Sequence, residues 1–306
     1  ASAPHAGARS EILTPARIVG ASLLLAAIGV LAALAWRIAG NIAWVTFYFR
    51  YLGASFLVAC AAIESRFCLK ELEEFGPGDP MRPVWALLTL SGLLRLVSMV
   101  LVHVAAKDIY LNPWFVLSSS WDSGAAAAVE RLGLALNPPV GFAFLGMALL
   151  LVLRLYRRMK LTVRLRWSDF ALLALIAAFL VRQTHEFVYY LGRAETPPAL
   201  GWYATWLTDP MLAAVLAVAV AIRRASQSLG HGMIERCWTC YVAGVFLTSL
   251  ADIGAWAATN VHISWPYSAV TWYLWFPPAA AFALAPVYQA AAVRQAKRGL
   301  ARGAPG

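Results

Sequence analysis

The chain has 306 residues, of which 61% are hydrophobic and 13% charged, with a mean hydropathy of +0.67. So apolar a balance excludes an ordinary soluble domain, which carries about a quarter of charged residues. The net charge of +10 is gathered in the connections between apolar segments, which points to anionic lipid headgroups as counter-charge and away from nucleic acid.

Eight segments approach the ~20 apolar residues that cross a ~30 Å hydrocarbon core as helix. They cover roughly 17–39, 42–63, 84–104, 140–155, 169–190, 208–222, 238–257 and 267–287. The first is long and lacks a small-residue cleavage site, so it is expected to be a retained helix and not a signal peptide. Of the 25 Lys and Arg residues, eighteen fall in connections on one side of such a bundle. Only Arg37, Lys107, Arg131 and Arg193 fall on the other, and Arg50, Arg95 and Arg182 lie inside spans. That asymmetry predicts both termini in the cytoplasm. The expected fold is an all-α integral membrane protein, a bundle of about eight transmembrane helices with N-in/C-in topology. Residues 1–306 form one transmembrane domain, with a cytoplasmic segment at 1–16, a basic cytoplasmic tail at 288–306, and a bacterial cytoplasmic membrane as the expected location.

The connections have characters of their own. Residues 64–74 mix acids with Arg66 and Lys70 ahead of Gly76-Pro77-Gly78-Asp79-Pro80, which reads as a solvated helix end and a tight loop. In the outer loop between spans three and four, Asp122 or Ser123 caps a short interfacial helix. Trp114 and Trp121 anchor it at the headgroups, and Asn137-Pro138-Pro139 ends it. From Lys160 to Trp167 charged and apolar residues alternate with period two, predicting an extended strip on the membrane surface or against a partner. Thr208-Asp209-Pro210 reads as a helix start with Asp209 as cap. Pro277-Pro278 is expected to bend or break the last span.

Candidate chemistry concentrates in the outer half. Arg182, His185, Glu186 and Tyr189 are spaced i, i+3, i+4 and i+7, hence on one helical face, which is expected to point into the bundle. Arg50, Arg95 and Asp252 fall at similar depth by helix rise. With the cluster on the fifth span they suggest a polar ligand-binding cavity opening outward, in which at least one arginine pairs with Glu186 or Asp252. The surplus of arginines suits a carboxylate, a phosphate or a polarised quinone oxygen. His103 and His185 lie within about 4 Å in depth, so they are candidate axial ligands of a b-type haem. A structural alternative is that the charges simply lock the helices together.

All four cysteines fall near the cytoplasmic face. Cys237 and Cys240 form a CxxC pair at a helix start, a redox-competent arrangement. The spacing of Cys60 to Cys68 matches no metal motif, and reduced thiols packed as small apolar groups, with no metal, are expected. No lysine lies mid-span in the last helices, and there is no phosphate-binding loop, HExxH or nucleophile elbow. No catalytic motif is recognised.

These features give three functional expectations. The first is a multi-pass subunit of a larger, electron-transfer membrane complex with probable protein partners or copies of itself, holding a quinone, haem or lipid-like ligand in the outer cavity. In architecture, and in no motif, the plan resembles the quinone-facing anchor subunits of respiratory oxidoreductases. The second is a transporter or small-molecule receptor for an anionic solute, and the third a ligand-free membrane scaffold.

Overall fold

The computed structural model describes residues 15–40, 52–102, 128, 132–161, 163–192, 200–228, 232–260 and 274–303. Among them there is no strand, and eight long α-helices account for most of the chain. They are α1 (Pro15–Ala39), α2 (Ala54–Glu74), α3 (Arg82–Val100), α4 (Gly141–Arg158), α5 (Trp167–Leu191), α6 (Leu200–Gln227), α7 (Met233–Asn260) and α8 (Phe276–Gly303). Six of these, all but α2 and α4, are long and apolar enough to cross a membrane. The protein is therefore all-helical and of membrane type. Helix α2 carries Glu64, Arg66, Lys70, Glu71, Glu73 and Glu74, and α4 ends in Arg154, Arg157 and Arg158, which lowers their apolarity.

The core lies among α3, α4, α6, α7 and α8, where Trp85, Leu88, Phe142, Leu145, Leu149, Leu212, Leu216, Tyr241 and Phe282 are buried together. Two close approaches need glycine. A Cβ on Gly244 would stand 2.8 Å from the Phe282 ring, and one on Gly92 would stand 3.3 Å from Ser65 on α2. Small residues at crossings are how apolar helices gain packing where burial from water offers little. Several buried hydroxyls are satisfied within their own helices. Ser65 donates to the carbonyl of Ala61, Thr89 to Trp85, Thr248 to Gly244 and Ser249 to Val245, which suits an environment without water.

One end of the bundle is tied together by polar contacts. Arg224 at the end of α6 grips Asp169 at the start of α5 with two bonds of 2.6 Å. Asp169 also accepts from the Arg166 N–H at 2.7 Å. Arg224 reaches Gln227, which donates to Glu235 on α7. Trp238 Nε1 donates to Tyr156 Oη at 3.0 Å, joining α7 to the end of α4. Lys297 on α8 is ion-paired with Glu74 on α2. Ile18 at the start of α1 shares a cluster with Val287 of α8.

Several local expectations are corrected here. Helix α2 ends at Glu74 ahead of the tight loop, as expected, with the Met81 N–H donating to Asp79 Oδ1 at 2.7 Å, but this helix end is not solvated, since Glu64, Cys68 and Glu71 are buried. Helix α6 begins at Leu200, so Pro210 lies inside it and Asp209 is not its cap. The cap signal of Asp-Pro is overridden by nine helical residues before it. Pro277 and Pro278 fall in the first turn of α8, where a missing N–H costs nothing. The proline inside that helix is Pro286, and the helix runs through most of the basic tail. The alternating segment forms no strand among its described residues. Lys160 adopts φ 58 and closes α4, its N–H reaching the Arg157 carbonyl and that of Leu161 the Tyr156 carbonyl, a left-handed helix stop. Most of the expected interfacial helix lies outside the described residues. Residues 132–135 are helical, and Asn137 then breaks to φ −144, ψ 121 before α4.

Candidate functional site

The candidate residues fall in different settings. Arg50 and His103 lie outside the described residues, as do His262 and the side chain of Asp209. Arg95 is on α3 and enters the bundle. Its Nη1 donates to Glu64 Oε2 at 2.9 Å, with side-chain exposures of 7% and 3%. Its guanidinium stands over the Phe282 ring, 3.8 Å from the centroid, and 5.3 Å from that of Phe142. The charge is thus neutralised by one carboxylate and rests against two aromatic faces. Asp252, on α7, is half-buried with Oδ2 enclosed.

The α5 cluster is placed otherwise than expected. Arg182 and His185 are exposed, Tyr189 is exposed, and Glu186 is half-buried. Arg182 Nε meets Glu186 Oε1 at 3.2 Å across one turn of its own helix, with exposures of 58% and 30%. An arginine does pair with Glu186, but outside the core. The reason is packing: α5 docks mainly on α6, through Leu172, Ile176 and Leu180, and that apolar stripe takes the inward face. The i, i+3, i+4, i+7 spacing gathered the polar residues on one face correctly, yet said nothing of which way it turns. Helix α5 therefore does not bring Arg182 to Arg95, and the two belong to separate surroundings.

Sequence reasoning missed the partner of Arg95. Glu64 was read as lying at a solvated helix end, whereas α2 and α3 form an antiparallel hairpin. Counting outward from the turn at 75–81 at ~1.5 Å per residue would have put Glu64 and Arg95 at nearly equal height. It missed Asp169–Arg224 for a similar reason, since the two end up adjacent only because α5 and α6 are antiparallel neighbours.

Two further groups line the inner face of α2. Cys68 Sγ lies 3.9 Å from Tyr241 Oη. Glu71 is almost fully buried, and its Oε2 meets no hydrogen-bonding partner. The four thiols are free, three of them buried. Among the described residues no three His, Cys, Asp or Glu side chains gather as a metal site. Compared with family models, with curated proteins and with solved structures, the chain matches none.

Proposed function

We propose that the protein is a non-catalytic, multi-pass subunit of a larger membrane assembly, and that α5 is the helix by which it meets a membrane-spanning partner. One observation carries this reading: α5 turns Arg182 and His185 outward, while Val181 and Val188 beside them are 71% and 60% exposed. Helix α1 is also peripheral, but its exposed side chains include Leu23, Leu24, Val30, Leu31, Leu34 and Ile38, a surface suited to lipid. Ionised groups facing hydrocarbon cost several kcal/mol, so a helix that presents them needs polar company. A two-fold dimer about an axis along the membrane normal would set Arg182 opposite Arg182 at equal depth. The favoured occupant is a helix of a different protein with polar groups at that level.

The topology reading supports the same picture. The basic connections all gather at the end tied by Asp169–Arg224 and Lys297–Glu74, as they would if that end faced the cytoplasm. In this reading all eight helices cross the membrane, and α2 and α4 tolerate their charges at the cytoplasmic ends. The electron-transfer role and a quinone or haem would belong to the assembly, since Arg95 and the α5 cluster do not share a cavity.

The test is quenching by a lipid-dissolved reagent of fluorophores on single cysteines at Val181, Val188 and Leu24, compared between the native membrane and purified protein in pure lipid. Docking predicts that the two α5 positions are shielded in the native membrane only, with Leu24 quenched in both. Equal quenching everywhere would sink the proposal. A disulfide forming between two Val188→Cys chains would replace the foreign partner with a second copy.

A further inference from the structure

Buried polar atoms that meet no protein partner are rare, and each requires water or a ligand. Five of them lie along α3 and its two neighbours: Glu71 Oε2, Trp85 Nε1, Arg95 Nη2, Ser98 Oγ and Asn137 Oδ1. Their heights follow from the packing. Gly92 meets Ser65 across the α2–α3 crossing, and Trp85 is two turns from Gly92 on the same face, so it stands level with Glu71 and Leu72. On the other side, Ser91 Oγ donates to the Gly141 carbonyl at 2.8 Å. Gly133 approaches the Ser98 carbonyl, where a Cβ would stand 3.2 Å away. Asn137 Oδ1 lies against Gly141, where a Cβ would stand 3.2 Å from it, and so at the height of Ser91, about one turn nearer the basic end than the backbone of Arg95.

The orphan atoms therefore form two groups. Near the basic end an acceptor, Glu71 Oε2, and a donor, Trp85 Nε1, share one level. Farther in, over the two turns from Ser91 to Ser98, follow the acceptor Asn137 Oδ1, the donor Arg95 Nη2 beside Glu64, and the hydroxyl of Ser98. Between the two groups stands Cys68 beside Tyr241. From Trp85 to Ser98 the file spans about 20 Å of helix rise, most of a bilayer core.

We infer that the interior between α2, α3 and α4 is a hydrated, proton-accessible path, entered at Glu71 from the basic end and constricted at the Glu64–Arg95 pair. Water fits the chemistry better than an anion does. Each group mixes donors with acceptors, which water can satisfy together, and the Arg95 charge is already matched by Glu64. Two buried carboxylates on one face of α2 are the groups that carry protons in membrane relays. One proton bound by Glu71 passes through water to the Glu64 carboxylate and from there to water beside Arg95, Asn137 and Ser98 and out at the far end, which leaves each carboxylate ionised as before. Nothing is oxidised or reduced. The positive charge of Arg95 bars a free hydronium ion, so the proton crosses that level only on Glu64.

The path is tested with the full chain in proteoliposomes that enclose a pH-sensitive dye, under an imposed potassium diffusion potential. Proton entry well above that of protein-free vesicles is expected, reduced several-fold by Glu71→Gln and abolished by Glu64→Gln. Because Glu64→Gln disturbs a buried pair, a second measurement uses the unaltered protein. Hydroxyl-radical footprinting by internal water should modify Trp85 faster than Trp238, which is equally buried but already bonded to Tyr156. Flux no greater than in empty vesicles overturns proton passage, and Trp85 modified no faster than Trp238 overturns the hydration on which it rests.

Discussion

Arg95–Glu64 and Arg182–Glu186 are the same chemical pair, at 2.9 and 3.2 Å, each within an apolar stretch of sequence. The first joins two helices with both side chains almost wholly enclosed. The second spans one turn of a single helix and is largely uncovered. Contact distance does not separate them; what the removal of one member leaves behind does. A guanidinium left beside Phe282 and Phe142 stays enclosed without its counter-charge, whereas one on the rim of α5 keeps its mobility. The interior pair thus determines how α2 meets α3, while the peripheral pair bears on what meets α5.

The sharpest way to break this comparison is at Glu64. Glu64→Leu leaves Arg95 charged and enclosed, and is expected to destabilise the bundle by about 3–5 kcal/mol. Combining it with Arg95→Leu should restore most of the loss, because two leucines can pack where the ions stood. Denaturant unfolding of the purified protein in detergent, followed by tryptophan fluorescence, measures both. A double variant as unstable as the single one would mean that side-chain shape, not charge pairing, holds the crossing.

Asp169→Asn comes next, at about 3 kcal/mol. It removes the carboxylate that Arg224 grips from both sides at 2.6 Å. Helix α5 has few other interior contacts, so the loss should appear locally. Hydrogen exchange ought to rise along the first turns of α5 before it rises in α3 or α7. Uniform acceleration throughout the bundle would show that α5 is not a separable element.

How much of this was legible in the sequence follows from the same contrast. Helix positions were legible because apolar length is a local property: each observed helix overlaps one of the eight expected segments. The facing of α5 was not. The spacing of Arg182, His185, Glu186 and Tyr189 defines a stripe, but only contact with α6 decides that Leu172, Ile176 and Leu180 take the inside. Asp209-Pro210 misled because its cap signal is local, while nine preceding residues already form the helix. Glu64 misled because charges nearby, Arg66 and Lys70, made its whole segment look solvated, although i, i+4, i+7 spacing puts Glu64, Cys68 and Glu71 on a single face away from them. Of the candidate site, Arg95 was found as an intramembrane charge and its partner was not.

The smallest expected effect is at Arg182, and its smallness is what separates the two pairs. An exposed pair one helical turn apart contributes about 0.3–0.5 kcal/mol, so Arg182→Leu should change the unfolding midpoint of the purified protein only slightly. A loss approaching that of Glu64→Leu would show α5 to be buried against the remainder of the chain, and the comparison would collapse. With stability preserved, the same variant becomes a clean probe of docking. In the native membrane the label at Val188 should lose its shielding from the lipid quencher, because the guanidinium is what a polar helix would recognise there. Shielding that survives Arg182→Leu would assign recognition to the apolar flank, to Val181 and Val188 themselves, and would make the ion pair a bystander on the docking face.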